Sequence, residues 1–84
     1  SLNPIVSYNL AFLLFQRGDF KKLQFYIRRL NNSGMSNSET LWLGLKVERV
    51  LGDNIAMQQL AEQLRKRFPE SRELTLYESK KFND

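Results

Sequence analysis

The chain contains no cysteine and no histidine among its 84 residues. Those absences remove disulfides, thiolate metal sites, the commonest zinc ligands, the commonest general base and the usual activated nucleophiles. Only carboxylate pairs or lysine could carry chemistry, and no arrangement of Asp, Glu or Lys gathers them for it. An enzyme, a metal site and a bound cofactor are therefore not expected. Long apolar runs are missing as well. The longest, Leu10-Ala11-Phe12-Leu13-Leu14-Phe15, falls far short of the ~20 residues that a membrane-spanning helix needs. The chain begins Ser1-Leu2-Asn3, with no initiator methionine and no signal-like segment. It reads as a processed or isolated piece whose targeting information lies elsewhere, and a lack of cysteine settles no compartment.

What is present is enough apolar material for one small domain: 42% hydrophobic residues at a mean hydropathy of −0.47. This length lies near the lower limit for folding without staples. Net charge is +4 with a pI near 9.7. A modestly basic balance suits acidic partners, nucleic acid or anionic lipid, although a solvated face is the simpler reading.

Hydrophobic spacing marks five helices. Asn3-Pro4 opens the first, because Asn caps free amides and Pro lacks the amide that would go unpaired. Ile5, Tyr8, Phe12 and Phe15 then fall on one face, with Val6, Leu10, Leu13 and Leu14 beside them. Gly18 ends this helix and Asp19 caps the next, which runs from Phe20 to about Leu30 with Phe20, Leu23, Ile27 and Leu30 inward. Lys21, Lys22, Arg28 and Arg29 read as solubilising charge. After a loop, Ser36-Asn37-Ser38-Glu39 forms a capping-box pattern, and Leu41, Trp42, Leu45, Val47, Val50 and Leu51 supply apolar faces. Gly44 in mid-helix suggests a close approach that gives Trp42 room. Gly52-Asp53 then repeats the earlier turn, and a fourth helix follows to about Phe68 with Ile55, Met57, Leu60, Ala61, Leu64 and Phe68 inward. Pro69 stops it, and a fifth helix runs from Arg72 to about Phe82.

The two Gly-Asp steps stand 34 residues apart. That is the period of the tetratricopeptide (TPR) repeat, a helix-turn-helix unit, and Ser7-Tyr8-Asn9-Leu10-Ala11-Phe12 through Gly18-Asp19-Phe20 resembles its pattern. The resemblance implies an all-α, right-handed TPR-like superhelix: one repeat over 4–35, a second over 36–69, and a C-terminal capping helix over 70–82, at the end of a longer array. A narrower likeness lies in Leu41-Trp42-Leu43-Gly44, Leu51-Gly52-Asp53 and Leu64-Arg65-Lys66-Arg67-Phe68-Pro69-Glu70-Ser71. These are similar to the C-terminal repeats of the PilF/PilW pilotin family of type IV pilus biogenesis proteins. That family implies an outer-membrane lipoprotein facing the periplasm, with its lipid-bearing cysteine upstream, which supports assembly and placement of the secretin ring. Otherwise the chain is expected to be a cytoplasmic TPR adaptor unrelated to pili, with a nucleic-acid-associated repeat as the third reading.

In TPR stacks the first helix of each pair lines the concave groove. The groove candidates are Tyr8, Asn9, Phe12, Phe15 and Gln16 from the first pair, and Glu39, Trp42, Lys46 and Arg49 from the second. One reading gives them a partner peptide, with aromatic anchors and Lys46 and Arg49 meeting acidic groups. The other gives Phe12, Phe15 and Trp42 to packing between repeats. The Lys/Asn/Arg clamp with which chaperone-binding TPRs hold a terminal carboxylate is not reproduced. Arg65-Lys66-Arg67 with Arg72 is the densest basic cluster, but lacks the stacking aromatics of a nucleic-acid surface and reads as solvated. An apolar outer face on the first helix suggests a missing upstream repeat or self-association.

Overall fold

The structure, a computed structural model, describes residues 4–84, with side chains from Tyr8 onward. The expected Asn3 cap and the side chains of Ile5, Val6 and Ser7 lie outside the described residues. The chain forms α1 (Pro4–Arg17), α2 (Phe20–Asn31), α3 (Ser38–Leu51), α4 (Asn54–Arg67) and α5 (Arg72–Glu78), with no strand among the described residues. Helices α1, α3 and α5 start at Pro4, Ser38 and Arg72, and α2 and α4 at Phe20 and Asn54, each start 34 residues after its counterpart. The period seen in the Gly-Asp steps thus governs where every helix begins.

The turns after α1 and α3 are built alike. The Gly18 N–H donates to Phe15 O at 3.1 Å and the Asp19 N–H to Leu14 O at 3.0 Å; Gly52 to Arg49 O and Asp53 to Glu48 O repeat the pair at 3.1 and 2.9 Å. This closing pattern needs a left-handed residue, and Gly18 (φ 78°) and Gly52 (φ 82°) supply it without a Cβ penalty. The two aspartates then diverge. Asp53 Oδ1 accepts from the Ala56 N–H at 3.0 Å, whereas Asp19 makes no side-chain cap.

At the start of α3 the capping box sits one residue later than the Ser36…Glu39 pattern suggests. Asn37 Oδ1 accepts from the Thr40 N–H and Thr40 Oγ1 from the Asn37 N–H, at 2.9 and 2.8 Å. Ser36 is occupied elsewhere, its hydroxyl accepting from Arg67 at 2.6 Å. A larger difference concerns α5, which stops at Glu78 instead of running to Phe82. Lys80 takes the left-handed conformation (φ 57°), and Lys81 N–H donates to Leu76 O at 2.8 Å. The turn that glycine closes twice earlier recurs here with lysine in the glycine place, and it reverses the chain.

Helix α3 is the spine. It is buried from Thr40 through Glu48 and packs against each of the other four helices. On one side Leu43 and Val47 join Ala11, Leu14, Leu23, Ile27 and Leu30; on the other, Leu41, Trp42 and Leu45 join Ala61, Leu64, Leu74 and Leu76. Each fully buried Leu or Ile here contributes about 2 kcal/mol. With extents of 29, 24 and 21 Å, no element is remote from this spine. Gly44 permits the α2–α3 approach, since a Cβ there would lie 2.9 Å from Asn31 Nδ2 and 3.5 Å from Ile27 Cγ1. The room it makes therefore serves Asn31, Ile27 and, at 3.4 Å, Leu60 of α4, not Trp42.

Two residues expected inside are outside. Val50 lies in the last turn of α3, past the end of its buried stretch, and is 49% exposed; Ile55 is 74% exposed. Ile55 opens α4 at the lip of a cleft, because α2 and α4 do not pack on each other. Leu10, Phe12 and Leu13 on α1 are also exposed.

Candidate functional site

The first helices α1 and α3, together with α5 and the segment after it, line one face. Tyr8 and Phe12 stack with ring centres 6.5 Å apart, and Phe15 meets Phe20 edge-on at 5.5 Å. On α3, the Lys46 ammonium lies 5.0 Å from the Phe15 ring centre and 5.3 Å from that of Trp42. Trp42 in turn stacks on Phe82 at 5.9 Å, and the Arg49 guanidinium caps the other contact with Phe82 at 4.1 Å. The sequence-derived set is thereby partly united: Phe15, Trp42, Lys46 and Arg49 form one cation–aromatic array, with Tyr8 and Phe12 beside it. Asn9, Gln16 and Glu39 are exposed and stand outside the array. Trp42 and Lys46 are buried rather than presented as open groove residues.

The electrostatics follow from that burial. Burial pushes the Lys46 ammonium below its ordinary pKa; Arg72 adds to the effect and Asp84 opposes it. Among the described residues no carboxylate lies within ion-pair distance of Lys46. Burial also raises the Tyr8 phenol, helped by Glu39 and Glu73. The Trp42 indole N–H is buried without an acceptor.

A second concavity, of about 340 Å³, opens on the opposite side between α2 and α4, floored by Gly44 and Glu48 of α3. Its wall carries a network absent from the sequence reading. Glu48 is 1% exposed and accepts Arg28 Nε at 2.6 Å, Arg28 Nη2 at 2.9 Å and Gln24 Nε2 at 2.9 Å. Arg28 also reaches Asp53 at 3.1 Å, and the Glu48 hydrogen bond is the main cause of its raised pKa. Arg28 is thus a structural tie and not merely solubilising charge. The signal for Glu48 was available: it follows Leu41, Gly44 and Leu45 at helical spacing on the inward stripe. Phe82 is legible as an apolar position of the fifth helix, but its place against Trp42 is not, because it depends on the reversal at Lys80.

The basic cluster is dispersed into local contacts. Arg65 pairs with Glu62 at 3.4 Å and Glu78 at 3.8 Å, while Arg67 holds Ser36 and lies over Phe68. Among the described residues, no helix is long and apolar enough to cross a membrane, and no cluster of acidic side chains could hold a metal ion. No protein-family model matches the chain, nor does any curated protein or solved structure in the comparisons made.

Proposed function

We propose that this chain is a protein–protein interaction module of the TPR type, whose α1–α3–α5 face takes an acidic peptide of a partner. The recurrence of helix starts and Gly-Asp turns supports the fold part of this reading. The observation that carries the function is Lys46, a buried cation held by two aromatic rings without a carboxylate partner among the described residues. Burying a charge is costly, and the ring faces offset only part of the cost. A methionine would fill the same space at no electrostatic penalty. An incoming carboxylate supplies the missing counter-charge.

In its specific form the module is a pilotin that assists assembly and outer-membrane placement of a type IV pilus secretin. That form rests on Leu41-Trp42-Leu43-Gly44 and Arg65-Lys66-Arg67-Phe68-Pro69. These residues serve the fold as well: Leu41, Trp42 and Leu43 are core, Phe68 packs beside them and Arg67 holds Ser36. Membrane attachment, in this reading, comes from a lipid anchor upstream.

Trp42 is the only tryptophan, so its fluorescence reports on the face directly. Overlapping peptides that tile a secretin subunit are titrated into the protein and into Lys46→Met. The proposal expects saturable quenching by at least one acidic tile and a loss of about tenfold or more in affinity in the variant, the size of a removed charge-assisted contact. Binding confined to acidic peptides unrelated to secretins leaves the adaptor reading in place of the pilotin. Equal affinity of Lys46→Met and the parent protein for every peptide sinks the proposal.

A further inference from the structure

The face just described is not empty, and its occupant is the segment that follows α5. After α5, the reversal at Lys80 carries Phe82 onto Trp42, where its ring lies nearly parallel to the indole at 21°. Arg49 sits over the Phe82 ring and Tyr77 meets it edge-on at 6.3 Å. Of the five residues from Lys80 to Asp84 only Phe82 is partly buried; the other four are exposed. Beyond the backbone bonds of the turn, the segment is therefore pinned by one side chain. It is also held by an unfavourable turn, since Lys80 is the one non-glycine residue of positive φ among the described residues. A side chain bearing a Cβ adopts that conformation at a cost that glycine avoids.

Charge around the slot is matched to what fills it. Arg49, Arg65 and Lys80 border a hollow beside Phe82 with Glu78 the single carboxylate among its lining residues. Asp84 is exposed and forms no ion pair with Lys46. Beneath the ring, the Trp42 N–H still lacks an acceptor. An aromatic ring is thus what the slot already accommodates in cis, while the Lys46 charge beside it has no ion-pair partner among the described residues.

We propose that the Trp42–Lys46–Arg49 slot recognises an aromatic residue followed by a carboxylate in a partner's peptide, and that Phe82 occupies its aromatic site in cis and competes with that peptide. This identifies the ligand class for the binding face proposed above and rests on that reading. Because the slot is open in only a fraction of molecules, the affinity measured in trans is reduced by that fraction.

The test uses a fluorescein-labelled peptide copying residues 79–84, followed by anisotropy with the full chain. Phe82→Ala empties the slot and is expected to bind the peptide about tenfold tighter than the parent protein, as for a slot otherwise open in about a tenth of molecules. Lys80→Gly relaxes the turn, holds the cis segment more firmly, and is expected to bind the peptide more weakly than the parent. Peptides with Ala for the Phe or Asn for the final Asp are expected to lose the gain. A folded Phe82→Ala, judged by helical circular dichroism, that binds no tighter than the parent overturns the proposal. Should Phe82→Ala not fold, Lys80→Gly decides: affinity equal to or above that of the parent overturns it. Partner tiles that bind the parent while Phe82→Ala gains nothing would leave the binding face standing and this competition refuted. The converse, a gain for the copied peptide with no tile bound, would keep the slot and remove the partner reading.

Discussion

Lys46 keeps a charge where a neutral side chain of the same length would pack as well. Its cost should be visible in stability as well as in binding. For Lys46→Met the unfolding midpoint in urea is expected to equal or exceed that of the parent, while peptide affinity falls, the opposition typical of a residue held for function. The pH dependence has a definite sign. With the Lys46 pKa lowered in the fold, the unfolded chain holds more protons between that value and the ordinary 10.5, so stability rises with pH across this window. Tyr8 acts oppositely: its pKa is raised above 10.0, so the folded state holds more protons there and stability falls as pH climbs through the folded value. Urea unfolding between about pH 8 and 11 should show a rise followed by a fall in the parent, and only the fall in Lys46→Met. A rise that persists in the variant would assign the effect to another group.

At the scale of the element, α2 and α3 approach closely at Gly44. Alanine there improves helix propensity by about 1 kcal/mol. Its Cβ would, however, meet Asn31 Nδ2, which is fixed by donating to Thr40 O at 3.1 Å. We expect Gly44→Ala to destabilise by about 1–2 kcal/mol in the parent and to be neutral or stabilising in an Asn31→Ala background, with urea unfolding of all four proteins measuring the coupling. Additive effects would show that the side chain moves aside freely. The same element explains what the sequence made legible. Helix ends marked by Gly and Pro were found where expected, because those residues act through their own backbone constraints. The end of α5 was hidden, because Lys80 adopts the left-handed turn against its preference and only the contact of Phe82 with Trp42 and Arg49 accounts for it. Ser36 and Asn37 are both good caps, and the choice between them was made by Arg67, from another helix.

For the whole molecule, the two hydrophobic clusters meet, among the described residues, through α3, and polar ties secure that seam. That side chains of α1 and α3 meet on one face follows from helix order, and Phe15, Trp42, Lys46 and Arg49 lie on those two helices. Their mutual burial does not follow from it, since it depends on the angle between α1 and α3 and on a segment that folds back. The tie of Arg28 to Glu48 and Asp53 joins α2, α3 and the turn before α4, and it responds asymmetrically to mutation. Arg28 is half-exposed and can be solvated, but Glu48 at 1% exposure cannot. Arg28→Ala strands that carboxylate with Gln24 as its remaining donor, and we expect a loss of about 3 kcal/mol. Replacing both partners by apolar groups, Arg28→Met with Glu48→Leu, removes charge and desolvation together and should lie within about 1 kcal/mol of the parent. Urea unfolding of the single and double variants makes the comparison. A mild effect of Arg28→Ala would mean that water reaches Glu48 from the α2–α4 cleft once the guanidinium is gone, and the seam would then be held by Ile27, Leu30, Leu43 and Val47 instead.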